Sequence, residues 1–133
     1  MRCVLDTNVI ISALLLPHSK PRLALNRAFQ QGIVLISAAT LAEVYEVLDR
    51  PKFRPYVSEE DARLFVSVLV RDAEWVAADA KVTACRDKKD DKFLEVAVSG
   101  RATHIITGDS DLLDLDPFQD IRIISPQSFL ALS

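Results

Sequence analysis

Four acidic residues stand where a globular chain has most to lose by placing a charge. Asp6 interrupts the opening run MRCVLDTNVIIS directly after Cys3-Val4-Leu5. Glu43 lies inside SAATLAEVYEVLDRPKF, Asp91 follows Asp90 at the head of DKFLEVAVSG, and Asp109 closes HIITGD with Asp111 two residues behind it. Two like charges about 4 Å apart repel by roughly 4 kcal/mol at an effective dielectric near 20. Ionised carboxylates that share a site therefore need protons or a cation. Oxygen donors without His or Cys select a hard ion, and Mg²⁺ suits a few carboxylates because it keeps several waters and leaves positions to a substrate phosphate. His18 follows Pro17 in a loop and His104 opens a strand, so neither is placed for zinc.

Each acid also has an ordinary reading. Asp6 can cap a helix starting near Asn8, Glu43 can complete a capping box with Thr40, Asp90 or Asp91 can cap the helix that follows, and Asp109 can sit in a Gly-Asp turn. Glu95, one helical turn beyond Asp91, reads as a solvated acid or one that supports the site. Capping does not require all four acids to gather in one place; the elements that carry them decide whether they do.

Apolar spacing and punctuation predict strands at Arg2–Leu5, Ile33–Ile36, His104–Thr107 and Ile121–Ile124, with a short one at Trp75-Val76. Helices are predicted from Val9 to Leu16, stopped by Pro17, and from Pro21 to Gln31, with Gly32 as its cap. Leu41, Val44, Tyr45 and Leu48 mark a third helix, ended at Arg50-Pro51. Ser58 caps a fourth that shows Ala62, Phe65, Val66 and Leu69 on one face, and a fifth begins at Asp90 or Asp91. Continuously apolar strands alternating with helices imply an α/β three-layer sandwich, with a central, mostly parallel sheet and helices on both faces. Ligands of such sheets bind beyond the carboxyl ends of the strands, near the reversal of strand order. Asp6 and Thr107-Gly108-Asp109 end strands, Ser37 ends another with Glu43 on the next helix, and Asp91 can face the same rim. Asp6, Glu43, Asp91 and Asp109 are thus expected to converge.

Composition narrows the class. The chain has 133 residues, half of them apolar and only three of them Gly, which suits one domain over residues 1–133. No apolar run approaches the roughly 20 residues of a membrane span, and nothing at the start looks like a secretory leader. A cytoplasmic protein away from membranes is expected, with Cys3 and Cys85 as reduced thiols. The net charge of −3 argues against a broadly basic nucleic-acid surface. Basic residues nevertheless cluster at Lys20/Arg22/Arg27, at Arg50/Lys52/Arg54 and at Lys81/Arg86/Lys88/Lys89/Lys92.

The stretches VLDTNVIISALL, SAATLAEVYEVLDRPKF and RDKKDDKFLEVAVSGRATHIITGDSDLL, in that order and spacing, resemble the PIN-domain nucleases, above all the VapC-like toxins of toxin–antitoxin pairs. The resemblance runs from Met1 to about Ser128. It puts the family's four acidic positions on Asp6, Glu43, Asp91 and Asp109, with Asp91 preferred to Asp90 for its separation from Asp109, and supporting polar positions on Asn8, Ser37 and Thr107. It implies an endoribonuclease that cuts single-stranded RNA with Mg²⁺ or Mn²⁺. A metal-bound water would attack the phosphorus; Asp6, Asp91 and Asp109 would be ligands, and Glu43 a ligand or the group that orients the water. It further implies a cognate antitoxin and a homodimer, for which Phe53 and Tyr56 offer apolar surface. RNA would be held through its phosphates by Arg50, Lys52 and Arg54 and by the loop carrying Lys88, Lys89 and Lys92.

Rival classes fit less well. A phospho-accepting receiver domain needs an acidic pair before its first helix and a Lys ending its last strand, whereas Asp6 stands alone and Ser125 follows the last strand. A haloacid-type phosphatase needs Asp-x-Asp where this chain has Asp6-Thr7-Asn8. A PIN fold serving chiefly as an RNA- or partner-binding module with little turnover is the remaining alternative.

Overall fold

A computed structural model describes residues 1–132. Strands β1 (Arg2–Leu5), β2 (Ile33–Ile36), β3 (Glu74–Trp75), β4 (His104–Ile106) and β5 (Arg122–Ile124) form one sheet in the order β3-β2-β1-β4-β5. Every neighbouring pair is parallel. Helices α1 (Thr7–Leu15), α2 (Lys20–Gln31), α3 (Ala38–Leu48), α4 (Glu59–Asp72), α5 (Asp91–Ser99), α6 (Ser110–Leu113) and α7 (Pro126–Leu130) complete the chain. The sandwich expected from the sequence is the one observed, with a wholly parallel sheet.

Strand alternation sorts the core into two layers. Cys3, Leu5, Val34, Ile106 and Ile124 pack with residues of α1, α2, α3, α4 and α7. Val4, Leu35, Ile105 and Ile123 point the other way, to Phe93, Leu94, Val96 and Ala97 of α5 and to Leu112 of α6. Both faces being covered explains why the strands read as unbroken apolar runs.

Helix starts follow side-chain caps. Asp6, Ser19, Ser37, Ser58 and Ser125 each accept a backbone N–H at the head of α1, α2, α3, α4 and α7. α1 begins two residues before the expected Val9 because Asp6 caps it. The capping box of α3 joins Ser37 and Thr40, each side chain bonding the other's backbone N–H, at 3.2 and 3.0 Å; Glu43 has no part in it. Helices α6 and α7 went unforeseen because four and five residues are too few to display a period. Among the described residues no helix is long and apolar enough to cross a membrane.

Two basic residues of the first cluster serve the fold. Arg22 donates to the Ala13 carbonyl at 2.8 Å, near the end of α1, and Arg27 donates to the carbonyls of Phe129, Leu130 and Leu132 at the end of α7. They supply the positive charge that the last turns of those helices lack.

Gly32 ends α2 for a reason other than backbone twist. Its φ of −160° is extended, but a Cβ there would stand 2.3 Å from the Met1 carbonyl oxygen, which accepts the Ile33 N–H at 2.8 Å in the β1–β2 ladder. Gly32→Ala is expected to destabilise the protein by about 1–3 kcal/mol through overpacking, read from the midpoint and slope of urea unfolding. An unchanged midpoint would show that Met1 yields without cost.

Candidate active site

The order of connection reverses at β1, whose neighbours are β2 on one side and β4 on the other. The crevice beyond the carboxyl ends of β1 and β4 is therefore the topological switch point. Asp6 follows β1 there, and Thr107 and Asp109 follow β4.

Asp6 is buried, with 4% of its surface exposed. Its Oδ1 accepts the N–H groups of Asn8 and Val9 at 2.6 and 3.4 Å, and its Oδ2 accepts the Thr107 hydroxyl. Burial pushes the Asp6 carboxyl up and the Asp109 charge adds to this; the three hydrogen bonds oppose the rise without cancelling it. Thr107 is wholly buried, and its Oγ1 also accepts the Asp109 N–H at 3.0 Å. One hydroxyl thus sets Asp6 and the Asp109 backbone in a fixed relation. The Asp109 Oδ1 accepts the Asp111 N–H at 3.0 Å.

The third acid of this crevice is Asp90. Burial, and then the Asp109 carboxyl hydrogen-bonded to it, push Asp90 up to about 6, with Asp87 and Asp6 adding further repulsion. Asp91, the residue expected there, faces elsewhere. Its Oδ1 accepts the N–H groups of Ala84 and Cys85 at 3.2 and 2.8 Å, and these bonds hold its carboxyl below the usual range. Through Oδ1, Asp91 fastens the Ala84–Cys85 backbone to the head of α5. The sequence separation that favoured it said nothing of the Lys88–Asp90 3₁₀ turn, which precedes α5 and sends adjacent side chains in different directions. Glu95 lies on the same side of α5 as Asp91, accepting the Val82 N–H at 3.1 Å, and the Ser99 hydroxyl accepts the Ala80 N–H at 3.1 Å. Cys85 also bonds Asp91, and its thiol is pushed up to about 12 by burial and then by that carboxylate, far from a reactive thiolate.

Glu43 does not stand as a free carboxylate. It is ion-paired with Lys92 of α5, both side chains being about four-fifths covered. Lys92 is thereby committed to Glu43 and is not a freely exposed RNA contact. Ser37 is buried in the capping box of α3, and Asn8 meets Asp6 through its backbone N–H while its residue surface is exposed. Asp111 lies 3.7 Å from Arg86. Of the other basic residues, Arg50 and Arg54 make long surface pairs with Glu46 and Asp49 at 3.9 and 3.7 Å, Lys52 lies over the Phe53 ring, and Lys88 and Lys89 are exposed on the turn leading to Asp90.

Asp6, Asp90 and Asp109 carry oxygen donors only, the kind that a hard divalent ion would take. Among the described residues no three acidic, His or Cys side chains are close enough to make a ready-built cage. Mg²⁺ meets such a site because it reaches some carboxylates through waters that it keeps. Burial and neighbouring carboxylates hold both Asp90 and Asp6 above the ordinary range, and a bound cation would relieve that cost.

The two adjacent aspartates have opposite linkage. The Asp90 carboxyl binds its proton up to about 6 when folded and only to the ordinary 3.8 when unfolded. Its stabilising contribution is complete below 3.8 and is lost as pH rises through about 6. The Asp91 carboxyl is depressed, so its contribution is present above the ordinary value and is lost as pH falls through the folded one. In cation-free protein, Asp90→Asn should melt above wild type at pH 7 and beside it at pH 4; no cap bond is forfeited, because the Asp90 side chain makes none. Asp91→Ala should cost about 1–3 kcal/mol at pH 7 by orphaning two amides. Thermal melts giving the reverse order would exchange the roles of the two residues.

The sequence matches the family model described as the PIN domain over residues 2–111. It is 35% identical over 117 residues to an uncharacterized protein of Methanocaldococcus jannaschii, covering 86% of this chain and 75% of that protein. Among solved structures, that of VapBC2 from Rickettsia felis bound to a DNA fragment from their promoter is similar, with a TM-score of 0.65. The similarity covers 94% of this chain and 98% of that one at 14% identity, a likeness of fold. With residues 2–111 matched and the switch-point crevice carrying acidic side chains, the chain belongs to the PIN domain family.

Proposed function

We propose that the chain is an endoribonuclease that cuts single-stranded RNA with Mg²⁺ or Mn²⁺, through one nuclease domain over residues 1–133. The PIN domain family is a family of nucleases. The observation that carries the reading is the Asp109 carboxyl set against Asp90 beside Asp6, a repulsion that adds to burial in pushing the Asp90 carboxyl up to about 6. Asp6, Asp90 and Asp109 would hold the ion. When bound, the ion supplies an activated water and neutralises charge building on the phosphate. The rest is work for the chain: Thr107 fixes the Asp6 carboxylate, the α1 N-terminus holds its other oxygen, and burial of both excludes bulk water from that side. Exposed Lys88 and Lys89 border the crevice and, with Arg50, Lys52 and Arg54, are the proposed contacts to RNA phosphates.

The capture of Glu43 by Lys92 favours a second reading, a binding module with little turnover. One experiment separates the two. Purified protein should cleave an unstructured RNA with Mg²⁺ or Mn²⁺, stop in EDTA and recover on adding the ion back. Asp6→Asn, Asp90→Asn and Asp109→Asn should each lose about 100-fold or more, while Asp91→Asn keeps most of the activity. Cleavage that persists in chelator, or full activity in both Asp6→Asn and Asp90→Asn, overturns the nuclease reading.

The biological setting that we propose is the toxin of a cytoplasmic toxin–antitoxin pair, supported by the likeness of fold to VapBC2. A homodimer is proposed with it. Phe53 packs back on the core, but Tyr56, Tyr45 and Leu64 are exposed, with 75%, 52% and 63% of their surface open. Sedimentation at tens of micromolar is expected to give twice the chain mass; a single-chain mass at that concentration refutes the dimer.

A further inference from the structure

The ladder between β1 and β2 stops short of the strands that form it. Arg2 pairs with Ile33 and Cys3 with Val34, whereas β1 stays paired with β4 as far as Leu5. Backbone carbonyls alternate in direction along a strand. That of Arg2 accepts the Thr103 N–H on the β4 side and that of Met1 accepts the Ile33 N–H, so the Cys3 and Leu5 carbonyls also turn toward β2. At the same offset the donor to Leu5 would be the Ser37 N–H. That group donates instead to Thr40 Oγ1 at 3.0 Å, in the capping box of α3. The Thr7 hydroxyl, two residues on from Leu5, has a related need. Thr7 is 3% exposed, and its Oγ1 is the one buried side-chain nitrogen or oxygen among the described residues that no protein group bonds. Leu5, Thr7 and Thr40 line one small cavity, walled otherwise by apolar side chains that include Ile10, Val44 and Leu69. It has about 10 Å³ in which the centre of a water molecule can lie.

We infer that this cavity is a binding site for one internal water, which accepts the hydrogen bond of the Thr7 hydroxyl and donates to the Leu5 carbonyl. A buried hydroxyl or carbonyl without a partner is costly, and nearly all native ones are bonded to protein or to ordered water. A cavity of this size admits one water, which needs two to four polar neighbours. Thr7 and Leu5 supply two. Thr40 Oγ1, whose contacts with the Ser37 oxygens are long at 3.3 Å, stands as a third. The water takes the place of the rung that Ser37 withholds. It joins the end of β1, from which Asp6 follows, to the first turn of α3, and the join is independent of what the acids of the crevice bind.

Oxygen-17 relaxation dispersion of the solvent counts the waters held inside a protein. Thr7→Val keeps the shape of the side chain and removes the hydroxyl, so it should lower the count by one. Thr7→Ser keeps the hydroxyl and should keep the count of wild type. Thr7→Val should also melt about 3–5 °C below wild type, because the Leu5 carbonyl loses its bridge to the hydroxyl. Circular dichroism reports whether each variant is folded. An equal count in wild type and Thr7→Val, or a Thr7→Val protein that melts above wild type, would overturn the proposal, since the hydroxyl would then be a buried group that nothing satisfies. A count that falls as far in Thr7→Ser as in Thr7→Val would overturn it too, by assigning the water to the shape of the cavity and not to the hydroxyl.

Discussion

The bond from the Thr107 hydroxyl to Asp6 is the constraint on which the crevice depends. It joins the ends of two strands that are neighbours in the sheet but about a hundred residues apart in the chain. A carboxylate buried this far would ordinarily be costly. Here one oxygen takes the hydroxyl and the other takes two amides at the α1 N-terminus, where the helix dipole also favours a negative charge. The same hydroxyl accepts the Asp109 N–H, so that the turn after β4 is set from the Asp6 side. Capping and site chemistry are thus not rival accounts of Asp6. The cap holds the carboxyl in place, while burial and the Asp109 charge push it up.

The acids divide by what already neutralises them. Asp91 is satisfied by amides and Glu43 by a lysine, whereas Asp6, Asp90 and Asp109 are set against one another. A charge balanced by fixed protein partners has little to gain from an ion. In the metal-dependent reading proposed above, affinity for a cation would belong to the unbalanced members.

Much of this was readable in the residues and part of it was not. Unbroken apolar strands gave away a sheet covered on both sides, and the places of Asp6 and Asp109 beyond the ends of β1 and β4 were legible too, because both signals are local. The partners of Glu43 and Asp91 were not legible, because they are not local. Lys92 meets Glu43 across 49 residues through the packing of α3 against α5, which no spacing along the chain encodes. The choice between Asp90 and Asp91 hung on a single 3₁₀ turn, below the resolution of any periodic pattern. Likewise Arg22 and Arg27 looked like part of a basic surface until the helix ends that they serve were in view.

The acceptors on α5 show how a helix can play the part of a neighbouring strand. Ser99, Glu95 and Asp91 recur every fourth residue and take the amides of Ala80, Val82 and Ala84, which recur every second. Four residues of helix rise about 6.0 Å and two of extended chain about 6.6 Å. The two repeats are nearly commensurate, so that an otherwise irregular segment lies along the helix like a rail on evenly set ties. Amides of an extended chain alternate in direction, and sliding the rail by one residue would turn the Ala80 and Val82 N–H groups away from their ties. Only even slips preserve the fit. The rail ends at Asp91, which takes the Cys85 N–H as well as that of Ala84 and so pins the segment to the head of α5.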